Sequence, residues 1–146
     1  MRKQLLTGLA FAAIAAYSFT HDSGMAGIIA ASNAVELGYA SQISNEREIK
    51  VTATLQKIPN EAKTWDFEVV METHTKALND DMVKSSVLIA GGKQYLPLGW
   101  KGAPPGGHHR KGKLHFKAVA PPPAAMELQI RLAEDPSPRS FKWLLK

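Results

Sequence analysis

Residues 48–56 read Glu-Ile-Lys-Val-Thr-Ala-Thr-Leu-Gln, and residues 65–74 read Trp-Asp-Phe-Glu-Val-Val-Met-Glu-Thr-His. Both stretches alternate. In the first, Ile49, Val51, Ala53 and Leu55 are interleaved with Glu48, Lys50, Thr52, Thr54 and Gln56. In the second, Trp65, Phe67, Val69, Met71 and Thr73 share one parity, and Asp66, Glu68, Val70, Glu72 and His74 the other. A period of two sends each set to one face of an extended chain, so both stretches read as half-buried strands. Ile58-Pro59-Asn60 ends the first of them, because proline has no N–H to give to a ladder.

The same reading carries outward along the chain. Ser85–Ala90 is a short strand closed by Gly91-Gly92, with Gln94–Leu98 as its expected hairpin partner. Leu114 and Phe116 point inward from a strand over 113–119, and Ala120-Pro-Pro-Pro123 is a stiff connection. Met126, Leu128, Ile130 and Leu132 make an amphipathic strand, Asp135-Pro-Ser-Pro138 a turn, and Phe141, Trp143 and Leu145 a last strand. About seven strands with turn signals every 8–12 residues imply an all-β fold. The expected architecture is a single antiparallel immunoglobulin-like β-sandwich over residues 46–146.

Composition agrees with one folded domain. The 146 residues suffice for one ordinary core. A hydrophobic fraction of 45% against 21% charged residues argues against a disordered chain. The absence of cysteine excludes disulfides, thiolate metal sites, a cysteine nucleophile and a lipid anchor on cysteine. The formal net charge is +5. Arg2 and Lys3 cancel Asp22 and Glu36 over residues 1–40, so the excess belongs to the domain. It fits either weak attraction to an anionic surface or an ordinary solvated basic face.

The N-terminus has the order of an export signal. Met1-Arg-Lys-Gln4 is positive, and Leu5–Phe19 is an apolar run broken only by Thr7, Gly8 and Ser18. Ser32-Asn-Ala34, Gly38-Tyr-Ala40 and Ala13-Ile-Ala15 each offer a small-x-small cleavage site. Residues 1–40 are expected to be a signal peptide, or an N-terminal anchor with a short linker. Asp22 separates the first apolar run from a second at Met25–Ala31, and a carboxylate in lipid is costly, which favours cleavage. The expected location is exported, periplasmic or secreted, with membrane attachment only if that segment is kept.

One segment invites a functional reading. Residues 99–113 read Gly-Trp-Lys-Gly-Ala-Pro-Pro-Gly-Gly-His-His-Arg-Lys-Gly-Lys, and an irregular stretch of that length is usually functional or mobile. His108 and His109 suit copper or zinc. Neighbours on a regular strand diverge, but on a turn made by Gly106 and Gly107 both rings can face one ion. His74 and Asp81 are the expected further ligands. The plainer reading is that the two histidines bond loop carbonyls or face water. A second functional reading is anion or protein-partner binding, with Gly106 and Gly107 exposing N–H groups, Arg110 adding its fork of donors and Trp100 an aromatic contact. The plainer reading of Trp100 is a ring covering the sandwich edge.

Other chemistry is poorly supported. No Gly-x-Ser-x-Gly elbow and no phosphate-binding glycine loop occurs. Asp80-Asp81 lacks the spaced oxygens of a calcium loop and reads as a turn, or as a carboxylate tying its own loop. His115 sits between Leu114 and Phe116, and so faces outward with Lys113 and Lys117. Basic residues are not interleaved with exposed aromatics, so nucleic acid is not expected. The leading expectation is a non-enzymatic exported binding module, and a metal-dependent hydrolase using the same histidines ranks last.

Trp65-x-Phe67, Thr73-His74, Asp81, Gly106-Gly-His-His-Arg110 and Gly112-x-Leu114-x-Phe116 together resemble a group of uncharacterised exported bacterial β-sandwich proteins, over about residues 48–145. The resemblance implies the fold and export, and no reaction. In general architecture the chain also resembles small periplasmic copper-handling sandwiches. It departs from them in lacking Met-rich motifs and a mature N-terminal histidine, which counts against copper transfer.

Overall fold

The computed structural model describes residues 39–56 and 58–145. The expected export segment, with His21, lies outside the described residues. Nine strands follow in order: β1 (Gln42–Glu46), β2 (Ile49–Leu55), β3 (Thr64–Thr73), β4 (Ser86–Ala90), β5 (Lys93–Tyr95), β6 (Gly99–Gly102), β7 (His109–Lys117), β8 (Ala125–Ile130) and β9 (Arg139–Leu144). They form two antiparallel sheets, ordered β1-β2-β3-β7-β6 and β5-β4-β8-β9. The alternation read from the sequence decides what lies between them. Val51, Ala53, Leu55, Phe67, Val69 and Leu114 of the first sheet are buried, as are Leu88, Leu128, Ile130 and Phe141 of the second. Phe67 joins the two layers. Its ring stands edge-on to Phe116 at 5.5 Å and tilts against Trp143 of the opposite sheet at 5.4 Å.

The count is nine strands rather than about seven. Two strands lack the apolar alternation that would announce them. β1 is polar apart from Ile43, which is 64% exposed. It runs along the edge of the first sheet, where the amide of Gln42 reaches across to the second. Gln42 Nε2 donates to the Lys142 carbonyl, and Gln42 Oε1 accepts the Lys142 N–H at 2.9 Å. One side chain thereby occupies part of the free edge of β9, a position that otherwise invites pairing with another chain. The second unannounced strand, β6, lies inside the segment expected to be irregular, and β7 begins at His109 rather than near 113.

One end of the sandwich collects the β1–β2 turn, the connection from β3 to β4, the β6–β7 turn and the β8–β9 connection. Arg139, 2% exposed, holds much of it together. Its Nε and one terminal nitrogen grip the two oxygens of Asp135 at 2.8 and 3.0 Å. The remaining donors reach the carbonyls of Ile49 at 2.7 Å and Glu46 at 2.9 Å. Those two residues flank Arg47 and Glu48, which turn the chain with φ of 48° and 64°. Non-glycine residues in that region cost about 1–3 kcal/mol each unless their surroundings impose it. The Arg139 fork supplies that imposition.

Burial pushes the Asp135 carboxyl pKa up. The bonds from Arg139 and from the Leu132 N–H outweigh burial and hold it below its ordinary value of 3.8. A depressed carboxyl contributes stability above its unfolded pKa and loses it as pH falls through the folded one. Resistance to denaturant is therefore expected to fall below about pH 4, and Asp135→Asn is expected to flatten that dependence. Arg139→Met should cost about 3–5 kcal/mol, because it strands a buried carboxylate. Lys142→Met, at an exposed position, should stay within about 0.5 kcal/mol. Equal unfolding midpoints for the two variants would contradict this account of the end of the sandwich.

Candidate functional site

The segment that drew the functional reading is largely strand, with a turn only over 103–108. Its apolar signal is missing because Arg110 and Gly112 occupy inward positions of β7. Arg110 is 2% exposed. Its Nε donates to the Ala103 carbonyl at 3.0 Å, and Nη1 donates to the Asp80 carbonyl at 2.6 Å and more weakly to that of Leu78 at 3.4 Å. The guanidinium carbon lies 5.4 Å from the centroid of the Trp100 ring, a stacking that suits arginine over lysine. Trp100 Nε1 donates to the same Ala103 carbonyl at 3.0 Å. The ring needs a glycine beneath it: a Cβ on Gly112 would meet it at 2.4 Å. Burial lowers the guanidinium pKa, and Asp80 and Asp81 oppose that shift.

The expected anion fork is therefore turned inward. Arg110 spends donors on carbonyls of two loops, and Trp100 covers the sandwich edge. Gly106 and Gly107 do take positive φ, 118° and 72°, but their role is pairing. The Gly106 N–H donates to Leu78 O at 2.8 Å, and Gly107 O accepts the Leu78 N–H at 2.9 Å.

The histidines are likewise separated in role. The His108 Nδ1 bonds the Lys76 carbonyl at 2.7 Å. A carbonyl only accepts, so Nδ1 carries the hydrogen. His109 is in β7, directly opposite Glu72, with Nδ1 3.5 Å from its carboxylate. His74 is exposed just beyond β3. Asp81 ties its own loop, accepting the N–H of Val83 at 3.0 Å and of Lys84 at 3.4 Å. The Lys84 N–H is the main cause of its lowered pKa. Among the described residues no three His, Asp or Glu side chains gather as a metal centre would need, so the expected convergence of His74, His108, His109 and Asp81 is not formed.

The β3–β7 register builds a different site. It places His109, Lys111, Lys113, His115 and Lys117 on the outer face of the first sheet, opposite Glu72, Val70, Glu68, Asp66 and Thr64. Alternate residues along a strand stand about 6.8 Å apart, so β7 carries a basic ladder. Lys111 pairs with Glu68 at 3.2 Å, and Lys50 of β2 with Glu72 at 2.7 Å. The Lys50 ammonium bonds Glu72 and is the main cause of that carboxyl's lowered pKa. Lys101 of β6 lies directly opposite Lys113. Like charges facing each other across a ladder are destabilising, and neither of these two forms an ion pair among the described residues.

Beside this pair the surface dips. A depression of about 350 Å³ is lined by Thr64, Leu98, Gly99, Trp100, Lys101 and His115. It exists because Gly99, facing His115 across the ladder, presents no side chain, and a Cβ there would meet nothing within 4 Å. His115 is more buried than a solvated position would be, at 16% side-chain exposure, and its Nδ1 bonds Asp66 Oδ1 at 2.7 Å. Its Nε2 is buried and has no hydrogen-bond partner among the described residues. The sequence showed His115 outward but not this pairing. A larger cleft, about 530 Å³, lies at the looped end. There Lys76 pairs with Glu134, and Asp80 accepts the Ala133 N–H at 2.7 Å.

If Arg110 is a structural tie, Arg110→Lys should destabilise the domain by about 3 kcal/mol, since one ammonium cannot serve carbonyls from two loops. Amide exchange should accelerate at Gly106 and Leu78, whose hydrogen bonds link those loops. Unchanged protection at both amides would mean that the turn does not depend on Arg110.

No family model matches the chain, and no curated protein matches it. Among solved structures it is similar to MPT63, a secreted protein from Mycobacterium tuberculosis known at 1.5 Å resolution. The identity is 13%, and the match covers 73% of this chain and 92% of that one with a TM-score of 0.43.

Proposed function

We propose that this protein is an exported, non-enzymatic binding module that holds an anionic polymer against the outer face of its five-stranded sheet. The observation that carries the reading is Lys101 opposite Lys113 without a carboxylate between them. A lysine on the edge strand β6 also discourages edge-to-edge association. Lys113 stands on the inner strand β7, and the carboxylate opposite it on the other side, Glu68, is shared with Lys111 at 3.2 Å. The strands of this face carry Lys50, Lys101, Lys111, Lys113 and Lys117 against Asp66, Glu68 and Glu72, five cations to three anions before either histidine is counted. A linear anion laid along β7 relieves the repulsion and releases its own counterions.

Export is supported by the charged start and apolar run of residues 1–19. A binding role is supported by the surplus of cations on this face. The metal-dependent alternatives require histidines that converge, and these are spread over a turn, a strand and a strand end.

Binding of the full chain to inorganic polyphosphate, followed across a salt series, tests the reading. Affinity is expected to fall steeply with salt. Lys101→Glu should weaken binding by about tenfold or more, while thermal stability holds or rises, because the change turns a repulsive cross-strand pair into an attractive one. Absence of binding at low salt, or binding indifferent to Lys101→Glu, would remove the proposal.

A further inference from the structure

Ile43, Leu96, Leu98 and Leu144 are the large apolar side chains left exposed among the described residues, and two of them share one connection. We infer that Leu96 and Leu98 enter the surface of an anionic lipid bilayer, with Lys93 and Lys101 drawn to its headgroups. The inference goes beyond the polyanion reading. Both leucines and Lys93 lie outside the strands of the five-stranded sheet.

Residues 93–101 read Lys-Gln-Tyr-Leu-Pro-Leu-Gly-Trp-Lys. β5 ends one sheet and β6 ends the other, so this stretch crosses between the sheets along one side of the sandwich. The crossing is fixed on both flanks. Tyr95 pairs with Leu88, and the Leu98 N–H donates to the His115 carbonyl at 2.6 Å. Pro97 is buried, and its ring restricts φ to a narrow range. On either side of it Leu96 is 76% exposed and Leu98 64%. A single exposed leucine needs no explanation. Two on one braced connection, each followed or preceded three residues away by a lysine, have the apolar and basic makeup of an interfacial anchor.

Charge selects the occupant. Between Asp81 and Glu127 the chain carries Lys84, Lys93, Lys101, Lys111, Lys113 and Lys117 and no acidic residue. β4, β5, β6 and β7 all fall within that stretch. Neither Lys93 nor Lys101 forms an ion pair among the described residues. An anionic headgroup layer complements this side, and each lysine near such a surface strengthens binding about fivefold. A second copy of the chain fits poorly, because edge meeting edge sets lysine against lysine. A folded protein partner also fits poorly, since two leucines fall short of the roughly 800 Å² that a stable interface buries on each side. A bilayer requires no matched shape, and its acyl chains take up apolar area wherever it is offered.

Leu96→Trp tests the inference at the point of contact. Trp65 and Trp143 are buried and Trp100 is half-buried, so they give a constant background. The apolar run of residues 5–19 is able to attach the full chain to vesicles of any charge, so the readout is emission from position 96 rather than attachment. With phosphatidylglycerol vesicles that emission is expected to shift to the blue and to be quenched by brominated acyl chains. Phosphatidylcholine vesicles should produce the shift only at about tenfold higher lipid. Lys93→Glu, added to Leu96→Trp, should raise the phosphatidylglycerol needed by about tenfold. Leu98→Ser should raise it by a similar factor while the thermal midpoint holds, because the position is exposed. Polyphosphate should leave the emission where it is. Emission that stays in place on phosphatidylglycerol, or a shift that ignores both Lys93→Glu and Leu98→Ser, overturns the inference. A shift that grows with protein concentration in the absence of lipid overturns it in favour of contact between copies. If the lipid shift is seen and polyphosphate does not bind, this inference stands and the polyanion reading falls; the reverse pattern leaves the basic face and removes the membrane contact.

Discussion

Arg110 and Arg139 are the largest fully buried side chains of the domain, and a guanidinium removed from water must find acceptors for its fork of donors. Neither finds them within its own strand. Arg139 draws on Asp135 and on the carbonyls before and after the Arg47-Glu48 turn. Arg110 draws on carbonyls of the β3–β4 and β6–β7 connections. Each arginine therefore fixes loops that the sheets alone would leave loose. A charge inside the sandwich becomes a reason for the loops at one end to have a single arrangement.

That constraint redistributes function. Donors committed to carbonyls are withdrawn from ligands, so the turn with the most suggestive sequence becomes scaffold. Continuous pairing of β7 with β3 from His109 to Lys117 lets its outward residues form an unbroken ladder. Trp100 is held over Gly112 by the same set of contacts. The proposed binding face depends on the buried arginine without touching it.

Glycine has two distinct duties in this arrangement. At Gly112 it makes room for a ring on the inner face, where any side chain would collide. At Gly99 nothing collides, and the missing side chain leaves a hollow on the outer face. Packing explains the first and does not explain the second.

Period-two alternation is local, so the sequence by itself determined which residues of β2, β3, β8 and β9 face the core. It determined that His115 points outward with Lys113 and Lys117. It also indicated the Asp81 carboxylate as a tie for its own loop, because that contact spans only a few residues. Tertiary structure alone decided the rest. β1 and β6 carry too few apolar residues to be seen, and they are strands only because a neighbour offers a ladder. Arg110 reads as a surface donor until the two loops that surround it are known. His115 and Asp66 are 49 positions apart, and Lys101 faces Lys113 only through the pairing of β6 with β7. Side-chain parity is fixed by the chain's own geometry, but cross-strand register is fixed by which strands meet. The candidate site is built entirely from register.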